Sequence, residues 1–398
     1  MRGSKGPLVA VDLRPLQAGY KAHLERGIGR HARGLVRALA DIVPKGRIKF
    51  FASPGPEPDL DGESVPVEFL LWPRWIERVP AGRETAFRLA GLSSAVRVLD
   101  VRVAHFLSHT DAPLGRLGGT RLVVTAHDII PVVFRKEYAG WNPIRNLRSR
   151  FGTALNVRVL EKADRIIAVS EATKKDLVGT LGVSPAKITV IPNGVDRFDE
   201  PARFDVERLK ATNGLMRSYL LHVGGIDRRK NVNLLPEVLR RARAGGLDLD
   251  LVFAGRIEKE PEFPSLAGAV RAAGVEKNVR FLGYVPDADL SALYAGAWAL
   301  VEPSLFEGFG LPVLEAMAAG APVVASNRGA IPEVAGDAAL LVEPEEGPIV
   351  DALGRLASEV GLRGLLLARG KERIAFFDWR RAAEMTVRVY EEAAGEPL

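Results

Sequence analysis

The 398 residues, 47% of them hydrophobic, suffice for two or three domains with full cores and exclude a disordered chain. No apolar run reaches the roughly 18 residues that cross a bilayer, and without Cys there are no disulfides, thiolate nucleophiles or Cys metal sites. Charge is uneven, because residues 1–195 carry 30 Lys and Arg against 18 Asp and Glu, net +12, while the remainder carries −6 of a total of +6.

A basic first half suggests an anionic partner for it: a membrane surface, a lipid phosphate or another polyanion, with no nucleic acid expected. Solvated helix faces would give the same excess. The start, Met1 to Pro7, lacks the apolar core of a signal peptide. Together with the missing Cys this fits a cytoplasmic protein, with peripheral contact to the inner face of a membrane as an open option.

Leu8–Leu13 is a short apolar run that suits a buried parallel strand. Beyond it lies a Gly-containing stretch from Gly19 to Gly34. Ile28, Leu35 and Leu39 share one face there, as do Ala32 and Val36, which predicts a helix. Gly27, Gly29 and Gly34 are read as leading into that helix, where bare backbone can approach a diphosphate. Their spacing and their distance from the strand end do not fit the dinucleotide fingerprint. Residues 53–66 read as loop. Trp72, Arg74, Trp75, Arg78, Arg83 and Arg88 follow, a set that suits a bilayer surface or an acceptor, or a helix packing its apolar face inward.

Arg121–Pro131 is a strand ending in His127-Asp128, and strand carboxyl ends line the ligand crevice of doubly wound sheets. The basic run with Arg135, Lys136, Arg145, Arg148 and Arg150 reads as an acceptor loop or a helix with its flanks. Ser170 is read as an N-cap. A boundary falls near Asp196. A new strand, Tyr219–Val223, then leads through Gly224 and Gly225 to Arg228-Arg229-Lys230, with a helix expected from Asn231; cations beside a helix start make an anion site. Asp287 and Asp289 read as caps. Neither Asp248-x-Asp250 nor this pair has the converging oxygens a metal needs, so no metal is expected.

The most informative stretch is Glu302-Pro-Ser-Leu-Phe-Glu307-Gly-Phe-Gly-Leu-Pro-Val-Leu-Glu315, ending at Gly320. A strand runs into a Gly-rich loop that opens a helix. Gly310 permits close approach, and Pro312 suits the first helical position. The helix start favours a phosphate. The two carboxylates would repel a bare phosphate but accept well from sugar hydroxyls, so the stretch reads as a sugar-nucleotide site.

Glu307 and Glu315, with seven residues between them in this setting, resemble the E-x7-E motif of retaining GT-B glycosyltransferases of family 4. The resemblance covers nearly the whole chain and is weakest over 53–120. It implies an α/β fold of two Rossmann-like doubly wound domains facing a central cleft: an acceptor domain of residues 1–196, joined by a returning helix 376–398, and a donor domain of 197–375. It implies transfer of a hexose from a nucleotide-diphosphate sugar to a hydroxyl of a saccharide or lipid-linked acceptor, with no cofactor and no metal. Carried over residue by residue, Glu307 and His127 become catalytic. Gly29, Arg229, Lys230, Val285, Gly308, Phe309, Gly310, Leu311 and Glu315 become donor-binding. Gly225 stands where many members have Arg, so one phosphate contact falls to Arg228 or Arg229. The run Val123–Pro131 with Arg229-Lys230-Asn231 looks like bacterial surface-polysaccharide mannosyltransferases, which points to GDP-mannose over a UDP-sugar. The alternatives are a GT-B epimerase or phosphorylase, a nicotinamide oxidoreductase, which the glycine spacing opposes, and a non-catalytic nucleotide-sugar or membrane scaffold.

Overall fold

A computed structural model describes residues 6–21, 27–77, 83–134, 143–196 and 203–398. The chain divides into two compact units, Met1–Gly194 with Trp379–Leu398, and Val195–Asp378. Arg78, Arg135 and Lys136 lie outside the described residues, as do the side chains of Arg74, Arg145 and Arg148.

Each unit is built on one parallel sheet. The first has the order β3-β2-β1-β4-β5-β6-β7, with β1 Val9–Asp12, β2 Ile48–Ala52, β3 Val67–Phe69, β4 Val103–Phe106, β5 Arg121–Ala126, β6 Arg165–Ala168 and β7 Ile188–Val190. The second has the order β10-β9-β8-β11-β12-β13, with β8 Ser218–Val223, β9 Leu249–Ala254, β10 Val279–Phe281, β11 Ala299–Glu302, β12 Val323–Ser326 and β13 Leu340–Val342. Central strands such as β1 and β9 are buried along their whole length because helices cover both faces, as parallel sheets require. Strand order reverses between β1 and β4 and between β8 and β11. The two connections leaving such a reversal run to opposite faces, which opens a crevice at the strand carboxyl ends.

One apolar cluster of the first unit includes Leu35, Leu39, Phe50 and Val103 together with Ala382, Ala383, Val389 and Tyr390 of the helix Trp379–Ala394. That helix lies against the helix Gly27–Ile42, and Gly34 is what lets them close. A Cβ on Gly34 would stand 2.1 Å from Trp379 Cε2. The second unit has its own core around Leu220, Leu251, Phe253 and Val301. No described helix is long and apolar enough to cross a membrane.

Ser170 caps the helix Glu171–Leu181, its hydroxyl accepting from Thr173 N at 3.0 Å. Gly27 and Gly29 do not precede a helix, because the helix begins at Gly27 and includes both. Asn231 starts no α-helix. It sits at φ 56° between two 3-10 turns, and its amide donates to Pro344 O at 2.9 Å; the α-helix begins at Leu235. The helix Asp287–Ala295 has Pro286 at its N-cap position, with Asp287 and Asp289 one and three residues into its first turn, and Asp289 accepts from Arg208 at 2.7 Å.

Candidate functional site

The reversal of the second sheet brings together two strand ends far apart in sequence. β8 passes through Gly224, at φ 131°, into the 3-10 turn Arg228–Lys230. A Cβ on Gly224 would lie 3.7 Å from Lys230 Nζ, and that strained φ favours glycine there. β11 ends at Glu302 and continues through Ser304 and Glu307 to Gly310, at φ 105°, which precedes the helix Leu311–Ala318. Pro312 is the second residue of that helix. Gly329 seats the loop. It adopts φ 59°, and a Cβ there would lie 2.6 Å from Glu307 O.

Four charged side chains and a hydroxyl meet at this junction. Arg229 Nη1 donates to Glu307 Oε1 at 2.6 Å, and Lys230 Nζ lies 2.8 Å from the same oxygen. Lys230 Nζ is also 3.6 Å from Glu302 Oε1. The Ser304 hydroxyl reaches Glu307 Oε1 at 2.8 Å and makes a short contact with Glu302 Oε1. Glu302, Ser304, Glu307 and Lys230 are all buried. Burial alone would raise the Glu307 carboxyl, but Arg229 and Lys230 outweigh it and hold the group at about 2. Burial likewise opposes the Lys230 ammonium, and Glu302 and Glu307 overcome it and push its pKa up. The site therefore keeps two fixed cations beside a helix start, a combination that binds anions.

The other expected donor residues line the same segment. Gly308, Phe309, Gly310 and Leu311 are buried between Glu307 and the helix. The Phe309 ring packs edge-on to Phe377 at 5.9 Å, so that side chain is spent on packing and its backbone is what remains for a ligand. Glu315, on the buried face of the helix, accepts from Tyr294 Oη at 2.8 Å, a partner the spacing of the two glutamates did not reveal. Val285 sits half-buried in the loop between β10 and the helix Asp287–Ala295. Of the two cations expected to replace an Arg after Gly224, Arg229 enters the site and Arg228 is exposed. Gly225 has a local reason: a Cβ there would lie 3.0 Å from Glu260 Oε1, and the Glu260 carboxylate accepts from Ile226 N at 2.9 Å.

The first unit gathers a separate polar set at its own strand ends. His127, just past β5, donates from Nε2 to Leu107 O at 2.8 Å, so a neutral ring carries its proton there. The His31 ring meets it edge-on at 4.7 Å and uses Nδ1 to reach Asn193 Oδ1 at 2.8 Å. His105 is enclosed between Tyr390 Oη at 2.7 Å and Thr125 Oγ1 at 2.9 Å. Burial, reinforced by His127, lowers His105 to about 3; burial with the same neighbour also takes His109 to about 3. Both are neutral at neutral pH, as is His31, which burial takes well below its usual value. Gly29 lies buried two residues from His31 in the same helical turn. Sequence reading singled out His127 alone. No local pattern marks the others, since His105 comes level with Val123, two residues from Thr125, only through the pairing of β4 with β5.

The basic segment before β4 is less uniform than expected. Trp75 and Leu71 are exposed, but the Trp72 ring lies tilted against Phe87, with centroids 5.7 Å apart. Arg88 points inward, donating to Ala112 O at 2.6 Å and to Asn156 Oδ1 at 2.7 Å, because the buried carbonyls there need a donor. Asp250, half of the Asp-x-Asp pair, accepts from Asn278 at 2.7 Å, and among the described residues no three metal-ligating side chains converge.

Comparison with known proteins follows the same division. Residues 26–197 match the family model Glycosyltransferase Family 4, and residues 205–368 match Glycosyl transferases group 1. The chain is 31% identical to the O-antigen chain mannosyltransferase B of Escherichia coli, over 68% of this chain and 70% of that one. It is 34% identical to the D-inositol 3-phosphate glycosyltransferase of Actinosynnema mirum, over 89% and 84%. Among solved structures it is similar to sucrose-phosphate synthase from Thermosynechococcus elongatus, with a TM-score of 0.73 at 22% identity over 98% and 99% of the two chains. It is also similar to Anabaena Alr3699/HepE in complex with UDP and glucose, with a TM-score of 0.74 at 17% identity over 97% and 100%. With both sheets, both family models and relatives of this identity in agreement, the chain belongs to the family 4 glycosyltransferases and has the GT-B fold.

Proposed function

We propose that the protein transfers a hexose from a nucleotide-diphosphate sugar to an acceptor hydroxyl with retention of anomeric configuration, and that the sugar is mannose carried by GDP. The observation that carries the reading is the convergence of Arg229 and Lys230 on Glu307 beside the start of the helix Leu311–Ala318. As the glycosidic bond breaks, negative charge grows on the diphosphate and positive charge on the hexose. Two preorganised cations and the amides near Gly310 meet the first, which is stabilisation worth several kcal/mol in a buried site. Glu307 accepts from the hexose hydroxyls, and Glu315 accepts from the ribose. His127 is assigned to orient the sugar, and Gly29 and Val285 offer backbone to the donor, on the motif alone. Among the described residues no side chain stands out as a covalent nucleophile. In a front-face route the acceptor oxygen bonds to the anomeric carbon, the bond to the diphosphate breaks, and the departing phosphate oxygen takes the acceptor proton.

Mannose is favoured by the relatives, since both the Escherichia coli enzyme and the MMP alpha-(1->4)-mannosyltransferase of Mycolicibacterium hassiacum, 29% identical over 85% of this chain, are mannosyltransferases. The acceptor is a saccharide or a lipid-linked saccharide, and the exposed Leu71 and Trp75 in a basic domain suit contact with an anionic membrane surface. The test is a panel of donors, GDP-mannose, UDP-glucose and UDP-galactose, assayed for hydrolysis and for transfer. GDP-mannose is expected to be consumed fastest, and Glu307→Ala to abolish transfer while GDP binding largely survives. Donor binding without any turnover, on any of the sugars, would favour a non-catalytic scaffold.

A further inference from the structure

Glu302 has no part in the scheme above, yet it is the most buried charged group of the donor site. Its side chain is wholly enclosed, and Oε2 has no hydrogen-bond partner. A buried, unpaired carboxylate oxygen costs free energy that an apolar side chain of the same shape would not. A cost of this kind at a binding site calls for a reason.

The neighbours of Glu302 supply one. Two of the donors that hold Glu307 also face Glu302. Lys230 Nζ is 2.8 Å from Glu307 Oε1 and 3.6 Å from Glu302 Oε1. The Ser304 hydroxyl lies within reach of both carboxylates, and a hydroxyl has a single proton, so it serves one of them at a time. Each of these two donors thus has a second acceptor already in place. Arg229, the third donor to Glu307, has Asp227 Oδ1 at 3.3 Å and Phe306 O at 3.3 Å.

We propose that Glu302 is a positioning residue, the carboxylate that takes over Lys230 and Ser304 when Glu307 turns from them to the hexose. This rests on the reading that Lys230 meets the diphosphate and Glu307 the sugar. An ammonium has three protons, so Lys230 can donate to a phosphate oxygen and to Glu302 together. Without Glu302, Lys230 and Ser304 have Glu307 as their single carboxylate and hold it back from the sugar. His222 is buried near this pair, with ring nitrogens 3.3 Å from Val301 O and 3.4 Å from Gly225 O.

The exchange makes two expectations that diverge. Glu302→Gln keeps the shape and a hydrogen bond to Ser304 but removes the charge. Its affinity for GDP and UDP, measured by calorimetry, should equal or exceed that of the wild type, because one carboxylate near the phosphates is gone. Its kcat for transfer should fall about tenfold or more, the scale of one hydrogen bond to a charged group. Glu302→Asp, with the charge restored on a shorter arm, should recover part of kcat. If transfer by Glu302→Gln matches the wild type, or if kcat and nucleoside diphosphate affinity fall together, the proposal is overturned. If Glu307→Ala transfers normally, it is the assignment of Glu307 to the sugar that has failed, and the two failures are told apart by that control.

Discussion

A carboxylate withdrawn from water stays ionised only where its partners outweigh the lost hydration, and Glu307 has three donors on one oxygen. Its pKa is depressed from 4.5 to about 2 on folding, so the sign of the linkage is clear. The stability it contributes is fully present above about pH 4.5 and is lost as pH falls toward 2. Chemical denaturation between pH 5 and pH 2 should therefore show Glu307→Gln with a flatter pH dependence than the wild type; equal slopes would deny the coupling. Lys230 acts at the same scale. Lys230→Ala should weaken GDP or UDP binding by about tenfold or more, the loss of a charged hydrogen bond, and unchanged affinity by calorimetry would reject its phosphate role. Glu307 and Glu315 were legible because their spacing and their Gly and Pro setting are local. Glu302, Ser304 and Tyr294 were not, although the first two lie in the same stretch, because their roles depend on what faces the end of β11.

At the scale of elements, apolar runs mark strands such as β1, β5 and β8 but not β2, β3 or β4, and glycines lie inside a helix that they are expected to precede. Gly29 and Gly34 are expected to lead into the helix, yet both lie within it. The helix buries Leu35, Val36 and Leu39 on one side, and that apolar stripe outweighs the cost of a few helical glycines. Gly34 is required by contact with Trp379 rather than by a ligand. Gly34→Ala should thus destabilise the protein by about 1–3 kcal/mol, as overpacking of a tight core does. A loss below about 0.5 kcal/mol, the usual range for a neutral surface change, would show that the helices can part to admit a methyl group. Asn231 makes the converse point. The triplet it closes was recognised, but its left-handed backbone follows from the two carbonyls, Pro303 O and Pro344 O, that its side chain must reach.

For the whole molecule, the chain's path is the notable feature. The first unit is discontinuous, completed by residues 379–398 from the far end of the sequence. Tyr390 both fills its core and donates to or accepts from His105 at 2.7 Å. A chain ended at Asp378 should lose that packing. The expected outcome is early proteolytic cleavage within residues 27–194 and loss of near-ultraviolet circular dichroism, while a cleavage pattern like the full chain's would show the helix to be dispensable.

Local chemistry was enough for much of the alternation of strands and helices, for the two glutamates and for the three adjacent cations, since each of these is written in a few neighbouring residues, while the two-sheet architecture was implied by resemblance to the family. The convergence of Lys230 with Glu302, Ser304 and Glu307, and of His31 with His127, was settled by strand order. Parallel sheets join residues through crossovers tens of residues long, so the groups that share a proton or a charge at a strand end are near one another in space while remaining remote along the chain.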